Sequence, residues 1–187
     1  MSYYEDRENA EQYIKMAEGY DGAKLIDVLK QHLVSGSTVL ELGMGPGTDV
    51  DLLTETYVVT GSDYTQTFLD IYRATHPAAD LLQLDAETID TKRMFNCIYS
   101  NKVLHQLTQE GLRASFARQH ALLTNRGLLM HSFWYGDESG DHGGIHYEYY
   151  TEAALLALAG TQFELIASAR YAEMGEDDSF YVLLRKR

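Results

Sequence analysis

Apolar residues recur at helical spacing at Leu25, Ile26, Val28, Leu29 and Leu33, so residues 21–34 are expected to form an amphipathic helix with Asp21 as its N-cap and Gly36 as its stop. A first helix is expected over residues 7–18. Short apolar runs then alternate with helical patterns: strand 37–42, helix 46–54, strand 56–62, helix 65–75, strand 80–84, strand 95–100, helix 108–123 and strand 127–134. Between 85 and 94 the pattern is too weak for a helix. Such alternation implies right-handed crossovers and a parallel sheet with helices on both faces. The ending differs. After a helix at 151–159, the runs 163–172 and 179–186 flank the acidic turn MGEDDS and read as a β-hairpin, so one late strand must run antiparallel.

Glycine breaks this pattern most abruptly at TVLELGMGPGTDV, residues 38–50, where a buried strand ends and Gly43, Gly45 and Gly47 follow within five positions. A Gly-rich turn after a strand lets the backbone approach a ligand closely, and in a doubly wound sheet this turn lines the crevice at the carboxyl ends of the strands. The dinucleotide pattern G-x-G-x-x-G is not met, because Thr48 follows Gly47, and Pro46 is expected to begin the helix. Asp63, at the end of the second strand and about 20 residues past the first glycine, stands where an acid receives a ribose hydroxyl pair.

Composition narrows the ligand. The 187 residues are 45% hydrophobic, enough for a single domain with its own core. No apolar run follows a basic N-terminal region and no uncharged apolar stretch nears ~20 residues, so a cytoplasmic protein without a signal peptide or membrane span is expected. Twenty-eight acids against 15 bases give a formal charge of −13, a surface that repels phosphate backbones and anionic membranes. The expected partner is a small molecule, with no nucleic acid and no membrane. The one cysteine, Cys97, lies between apolar neighbours and reads as a buried structural thiol.

Five motifs in order, ELGMGPG at 41–47, GSDY at 61–64, LDA at 84–86, FNCIYSNKVLHQL at 95–107 and LLTNRGLL at 122–129, resemble the class I S-adenosylmethionine-dependent methyltransferases over roughly residues 20–187. The resemblance implies a Rossmann-like, doubly wound α/β sheet of seven strands in the order 3-2-1-4-5-7-6 with strand 7 antiparallel and helices on both faces. It implies S-adenosyl-L-methionine as cofactor. It places the methionine portion on Glu41 and the amides around Gly43, Gly45 and Gly47, the ribose on Asp63, and the adenosine beside Tyr64, Asp85 and Ala86. Backbone carbonyls at Ser100 and Asn101 would hold the cofactor's amino group. Tyr13 and Tyr20, with Tyr3 and Tyr4, lie in a segment, within residues 1–34, that in this family often folds over the cofactor. Asn96 departs from the family's usual Asp, and Asn-Arg-Gly at 125–127 from its usual Pro-Gly-Gly turn, with Asn125 able to take the left-handed conformation.

Methyl transfer from a sulfonium is an in-line displacement that needs alignment and exclusion of water rather than a metal. His105 and Tyr147 are the candidate catalytic residues, His105 as a base beside the sulfonium, or else a packed histidine of the VLHQL segment. The run WYGDESGDHGGIHYEYY, residues 134–150, reads as a long loop on the substrate side. Its Tyr147, Tyr149 and Tyr150 either frame an acceptor or pack the following helix. Asp137, Glu138, Asp141, His142 and His146 lack the rigid spacing of a metal site, so no metal is expected and the loop reads as solvated. The function implied is methyl transfer to an N, O or S atom of a small molecule. A non-catalytic cofactor-binding sensor or subunit, and a protein methyltransferase, are the alternatives. Neither the acceptor's identity nor the oligomeric state is written in any motif.

Overall fold

The structure, a computed structural model, describes residues 3–142 and 145–187, apart from the side chains of Tyr3, His142 and Ile145. Its elements run α1 (Arg7–Met16), α2 (Ala23–Lys30), β1 (Thr38–Leu42), α3 (Thr48–Thr54), β2 (Val58–Asp63), α4 (Gln66–Thr75), β3 (Asp80–Gln83), β4 (Phe95–Asn101), α5 (Gln109–Leu122), β5 (Leu123–Trp134), β6 (Ser139–His142), β7 (Ile145–Glu148), α6 (Glu152–Ala159), β8 (Phe163–Tyr171) and β9 (Ser179–Lys186). Seven strands form one sheet in the order β3-β2-β1-β4-β5-β9-β8. β9 pairs antiparallel with both β5 and β8, and the other ladders are parallel. With the small β6-β7 hairpin set aside, this is the expected 3-2-1-4-5-7-6 order.

Side-chain caps start several helices. Asp6 accepts from the Glu8 and Asn9 amides, Thr108 from Gly111 and Thr151 from Ala154, each contributing ~0.5–2 kcal/mol. The central strand β1 is buried from Val39 to Leu42, as expected of a strand covered on both faces. One side packs Leu40, Phe95, Phe116, Phe133 and Phe180 under α5 and α6. The other packs Leu25, Ile26, Leu29, Leu53 and Tyr99 under α2 and α3. Cys97 is fully buried. Among the described residues no helix is long and apolar enough to cross a membrane.

Several expected boundaries shift, each for a local reason. Gly47 has φ +87°, which a helix does not tolerate, so α3 starts at Thr48 and Pro46 stays in the turn. Gly22, not Asp21, is the N-cap of α2, and Asp21 instead accepts from the Ala23 amide at 3.0 Å. α2 ends at Lys30, short of residue 34. β5 begins at Leu123, before the Asn-Arg-Gly turn, and there Arg126 rather than Asn125 is left-handed, at φ +59°. Asn96, at the far end of β4, accepts from the Thr38 amide and hydroxyl.

The expected loop after β5 is largely ordered pairing. β6 and β7 form an antiparallel ladder from Ser139↔Glu148 to His142↔Ile145. Gly140 and Asp141 have weak strand preference, so the sequence carries no alternating signal. Backbone pairing and the packing of Tyr147 on His105 (ring centroids 5.2 Å apart) hold the hairpin in place.

Candidate functional site

The sheet order reverses between β1 and β4, so the turns leaving these strands face each other across a crevice at their carboxyl ends. After β1 the chain turns sharply through Gly43 at φ +66° and Gly45 at φ +47°. A Cβ on Gly43 would lie 2.6 Å from the Val103 side chain. Any larger residue would drive the turn off the segment that leaves β4. The Gly45 amide donates to Asp63 Oδ2 at 3.0 Å and the Thr65 amide to Oδ1 at 2.8 Å, clasping the ends of β1 and β2 together.

Two adjoining cavities open here. The first, of about 450 Å³, is lined by Asp63, Tyr64, Phe68, Asp85, Ala86, Val103 and Leu107 among others. The second, of about 370 Å³, is lined by Tyr20, Glu41, Asp49, His105, Trp134, Tyr147 and Glu173 among others. Tyr4, Tyr13, Gly43, Gly45, Asn101, Lys102 and Gln106 line both. Tyr4, Tyr13 and Phe68 form a mutual ring cluster with centroids 5.1 to 5.7 Å apart. Thr67 Oγ1 donates to the Glu5 carbonyl at 2.9 Å and ties the N-terminal segment to α4.

The floor is acidic. Glu41 is 3% exposed and its Oε2 has no hydrogen-bond partner. Burial, then the charges of Asp49, Asp63 and Asp51, push its carboxyl well above the usual range. Burial also raises Asp49 and Asp63, against the hydrogen bonds each accepts. Asp49 accepts from the Gly22 amide at 2.7 Å, the Tyr99 hydroxyl at 2.7 Å and Asn101 Nδ2 at 3.1 Å. A buried carboxyl with an unpartnered oxygen amid three more carboxylates suits a ligand that brings positive charge and N–H donors.

On the other side, Lys102, in the left-handed conformation at φ +55°, places its ammonium 3.7 Å over the Trp134 ring. It pairs with Glu173 Oε2 at 3.1 Å and donates to Ser179 Oγ at 2.6 Å. Burial pulls the lysine down while Glu173 holds it up. His105 is 2% exposed, stacks on Tyr147, and has no hydrogen-bond partner at either ring nitrogen. Burial and the nearby Lys102 charge lower it to about 3, so the ring is neutral, with one N–H and one lone pair. Leaving both unmade costs ~1–3 kcal/mol apiece.

The fold gathers most of the residues singled out from the sequence: Tyr13, Tyr20, Glu41, Gly43, Gly45, Asp63, Tyr64, Asp85, Ala86, Asn101, His105 and Tyr147 all line one cavity or both. Gly47 does not. It packs on Tyr72, whose ring a Cβ would meet at 2.3 Å. Ser100 is buried behind the site with its hydroxyl 2.8 Å from His131 Nδ1. The Asp85 carboxylate accepts from the Glu87 amide at 2.7 Å. Tyr150 packs into the core against Phe133, and it and Tyr149 border a separate groove. His146 lies between Asp141 and Glu148 at 3.1 Å from each, and the His142 side chain falls outside the described residues. Among the described residues no group of His, Cys, Asp and Glu side chains is arranged to hold a metal ion.

Sequence reasoning missed Asp49, Lys102 and Glu173. Asp49 carried a usable signal, an acid in the first turn after the glycines. Lys102 and Glu173 meet only through folding.

Residues 39–127 match a family model described as a methyltransferase domain. No curated protein matches the chain. Among solved structures, it is similar to 1,6-didemethyltoxoflavin-N1-methyltransferase of Burkholderia thailandensis with bound 1,6-didemethyltoxoflavin and S-adenosylhomocysteine, at 23% identity and TM-score 0.73 over 88% of this chain and 77% of that one. The N-methyltransferase NodS of Bradyrhizobium japonicum, in complex with S-adenosylhomocysteine, superposes at 14% identity and TM-score 0.69, over 95% and 98% of the two chains. The amino pentose methyltransferase CalS10 of Micromonospora echinaspora, bound to S-adenosylmethionine, does so at 16% and 0.72, over 95% and 96%. At these identities the likeness is one of fold.

Proposed function

We infer that this chain is a class I S-adenosylmethionine-dependent methyltransferase that transfers the cofactor's methyl group to an N, O or S atom of a small molecule seated in the second cavity. The observation that carries this reading is the buried Glu41 carboxyl, with its Oε2 unpartnered, beside a glycine turn that lines both cavities through Gly43 and Gly45. S-adenosylmethionine fits these residues: a cationic, amine-bearing end for Glu41 and its carboxylate neighbours, and a flat nucleoside for the first cavity, whose ~450 Å³ lies in the range of small-ligand sites. When bound, it supplies a methyl group activated by the positive charge on sulfur.

The chain's own residues do the rest. Glu41, with the turn at Gly43 and Gly45, holds the amino-acid end. Asp63 receives the ribose, and Tyr64, Asp85 and Ala86 border the base. Asn101 stands where the two cavities join. Tyr4 and Tyr13 roof the site, so the N-terminal segment works as a cover that excludes water within the one methyltransferase domain. The acceptor then lies among Tyr20, His105, Trp134 and Tyr147, the substrate-side wall that the hairpin completes. Neighbours named as methyltransferases of 1,6-didemethyltoxoflavin and of an amino pentose support a small-molecule acceptor.

Calorimetric titration with S-adenosylhomocysteine, against NAD and the Gly45→Val variant as controls, tests the reading. Selective binding that the variant loses is the expected result. No heat with S-adenosylhomocysteine would end it.

A further inference from the structure

The second cavity carries information about the acceptor's chemistry, in an argument that rests on the methyltransferase reading above. Its walls present aromatic rings from Tyr13, Tyr20, Trp134 and Tyr147. The least satisfied polar group on those walls is His105, buried, stacked on Tyr147 at an interplanar angle of 16°, and unpartnered at both ring nitrogens. A buried imidazole with nothing to bond is a group waiting for a ligand's polar edge.

The charged groups around it are already committed. Asp49 is taken by Gly22, Tyr99 and Asn101. Glu173 is taken by Lys102. Glu41 serves the cofactor's amino-acid end. Glu41 apart, the carboxylates lining this cavity already face partners, Glu173 Oε2 through an ion pair with Lys102 rather than a hydrogen bond, and the Lys102 charge repels an ammonium at His105.

We propose that the acceptor is a flat, uncharged heteroaromatic ring bearing an N–H, stacked within the aromatic walls of this cavity, and that the unprotonated ring nitrogen of His105 receives its proton during transfer. As the acceptor nitrogen gains its bond to the methyl carbon, the carbon–sulfur bond breaks and its electron pair stays on sulfur. The N–H proton passes to His105, which gives it up to water once the product has left the cavity. A histidine lowered to about 3 is far too weak a base to deprotonate an alkylammonium, which titrates near ~10. A base this weak can take a proton only from an N–H far more acidic than that of an ammonium, as on a ring that becomes cationic when one of its nitrogens is methylated.

The test uses the whole chain loaded with S-adenosylhomocysteine. Long-range 1H–15N spectra of the histidine rings, with His105 assigned through the His105→Gln variant, are followed while benzimidazole is added, then phenethylamine. Benzimidazole should move the His105 ring resonances, and phenethylamine should neither move them nor displace it. In parallel, turnover of benzimidazole with S-adenosylmethionine should fall on the order of a hundredfold in His105→Gln, while the variant's affinity for S-adenosylhomocysteine reports that it is folded. Heat with S-adenosylhomocysteine but no movement of His105 by benzimidazole overturns this proposal alone, as does preferential binding of phenethylamine. Absence of heat with S-adenosylhomocysteine overturns the underlying reading and this one with it.

Discussion

The Tyr99 hydroxyl donates to Asp49 Oδ2 at 2.7 Å, and so joins the middle of β4 to the first turn of α3 beneath the cofactor cavity. Gly22, the N-cap of α2, closes on the same carboxylate, and a Cβ at Gly22 would lie 2.0 Å from the Tyr99 oxygen. Asp49 is therefore the point where three elements meet. Tyr99→Phe should cost ~1–2 kcal/mol, because the carboxylate keeps two partners. Asp49→Ala should cost more, since the Gly22 amide and the Tyr99 hydroxyl both lose their acceptor. Urea unfolding of the two variants gives the comparison, and equal stabilities would show that the junction is not held by this carboxylate.

Gly47 separates packing from ligand binding. It stands at φ +87° against the Tyr72 ring, and it lines neither cavity. Gly47→Ala should destabilise the fold by ~1–3 kcal/mol. The folded protein should still bind S-adenosylhomocysteine with unchanged affinity. A loss of affinity at unchanged stability would return Gly47 to the ligand.

Asp63 holds the β1 turn through the Gly45 amide, caps its own strand end through the Thr65 amide, and faces the first cavity. Asp63→Ala should weaken S-adenosylhomocysteine binding by ~1–3 kcal/mol, through loss of the ligand's bonds and of the clasp on Gly45. Calorimetry at one pH measures this, and an unaltered dissociation constant would take Asp63 out of the site.

The acidic floor makes stability depend on pH with a definite sign. Burial raises Glu41, Asp49 and Asp63, so the folded chain binds more protons than the unfolded one between their unfolded and folded values. The stability they contribute is fully present below about pH 4 and is lost as pH rises through the folded values, of which that of Glu41 lies well above 4.5. Glu41→Gln should flatten this decline, so the variant gains on the wild-type protein as pH rises. Urea midpoints across pH measure it. His105 and His131, which burial lowers to about 3, add a slope of the opposite sign to both proteins and cancel in the comparison, so parallel profiles for the two proteins would contradict the assignment.

Binding of an amine-bearing ligand should return Glu41 to its ionised form and release a proton. Titrations of S-adenosylhomocysteine in buffers of different ionisation enthalpy should show that release in the wild-type protein and a smaller one in Glu41→Gln. Identical enthalpy slopes in the two proteins would mean that the Glu41 carboxyl does not meet the ligand.

The sequence by itself determined the alternation of elements, the antiparallel ending, the glycine turn after β1 and the acid closing β2. Each of these is a local property: hydrophobic period, turn chemistry, or a residue at a fixed distance from a strand end. It named Tyr13, Tyr20, His105 and Tyr147 without saying how they meet. Only the tertiary structure stacked His105 on Tyr147, turned Gly47 away from the cavity onto Tyr72, and paired Lys102 with Glu173 under Trp134. It also drew a hairpin from a polar stretch that shows no period of two. These features depend on which distant side chains fill the same space, and on burial that shifts the charge of Glu41 and His105. Neither the neighbours nor the burial exists before the chain is folded.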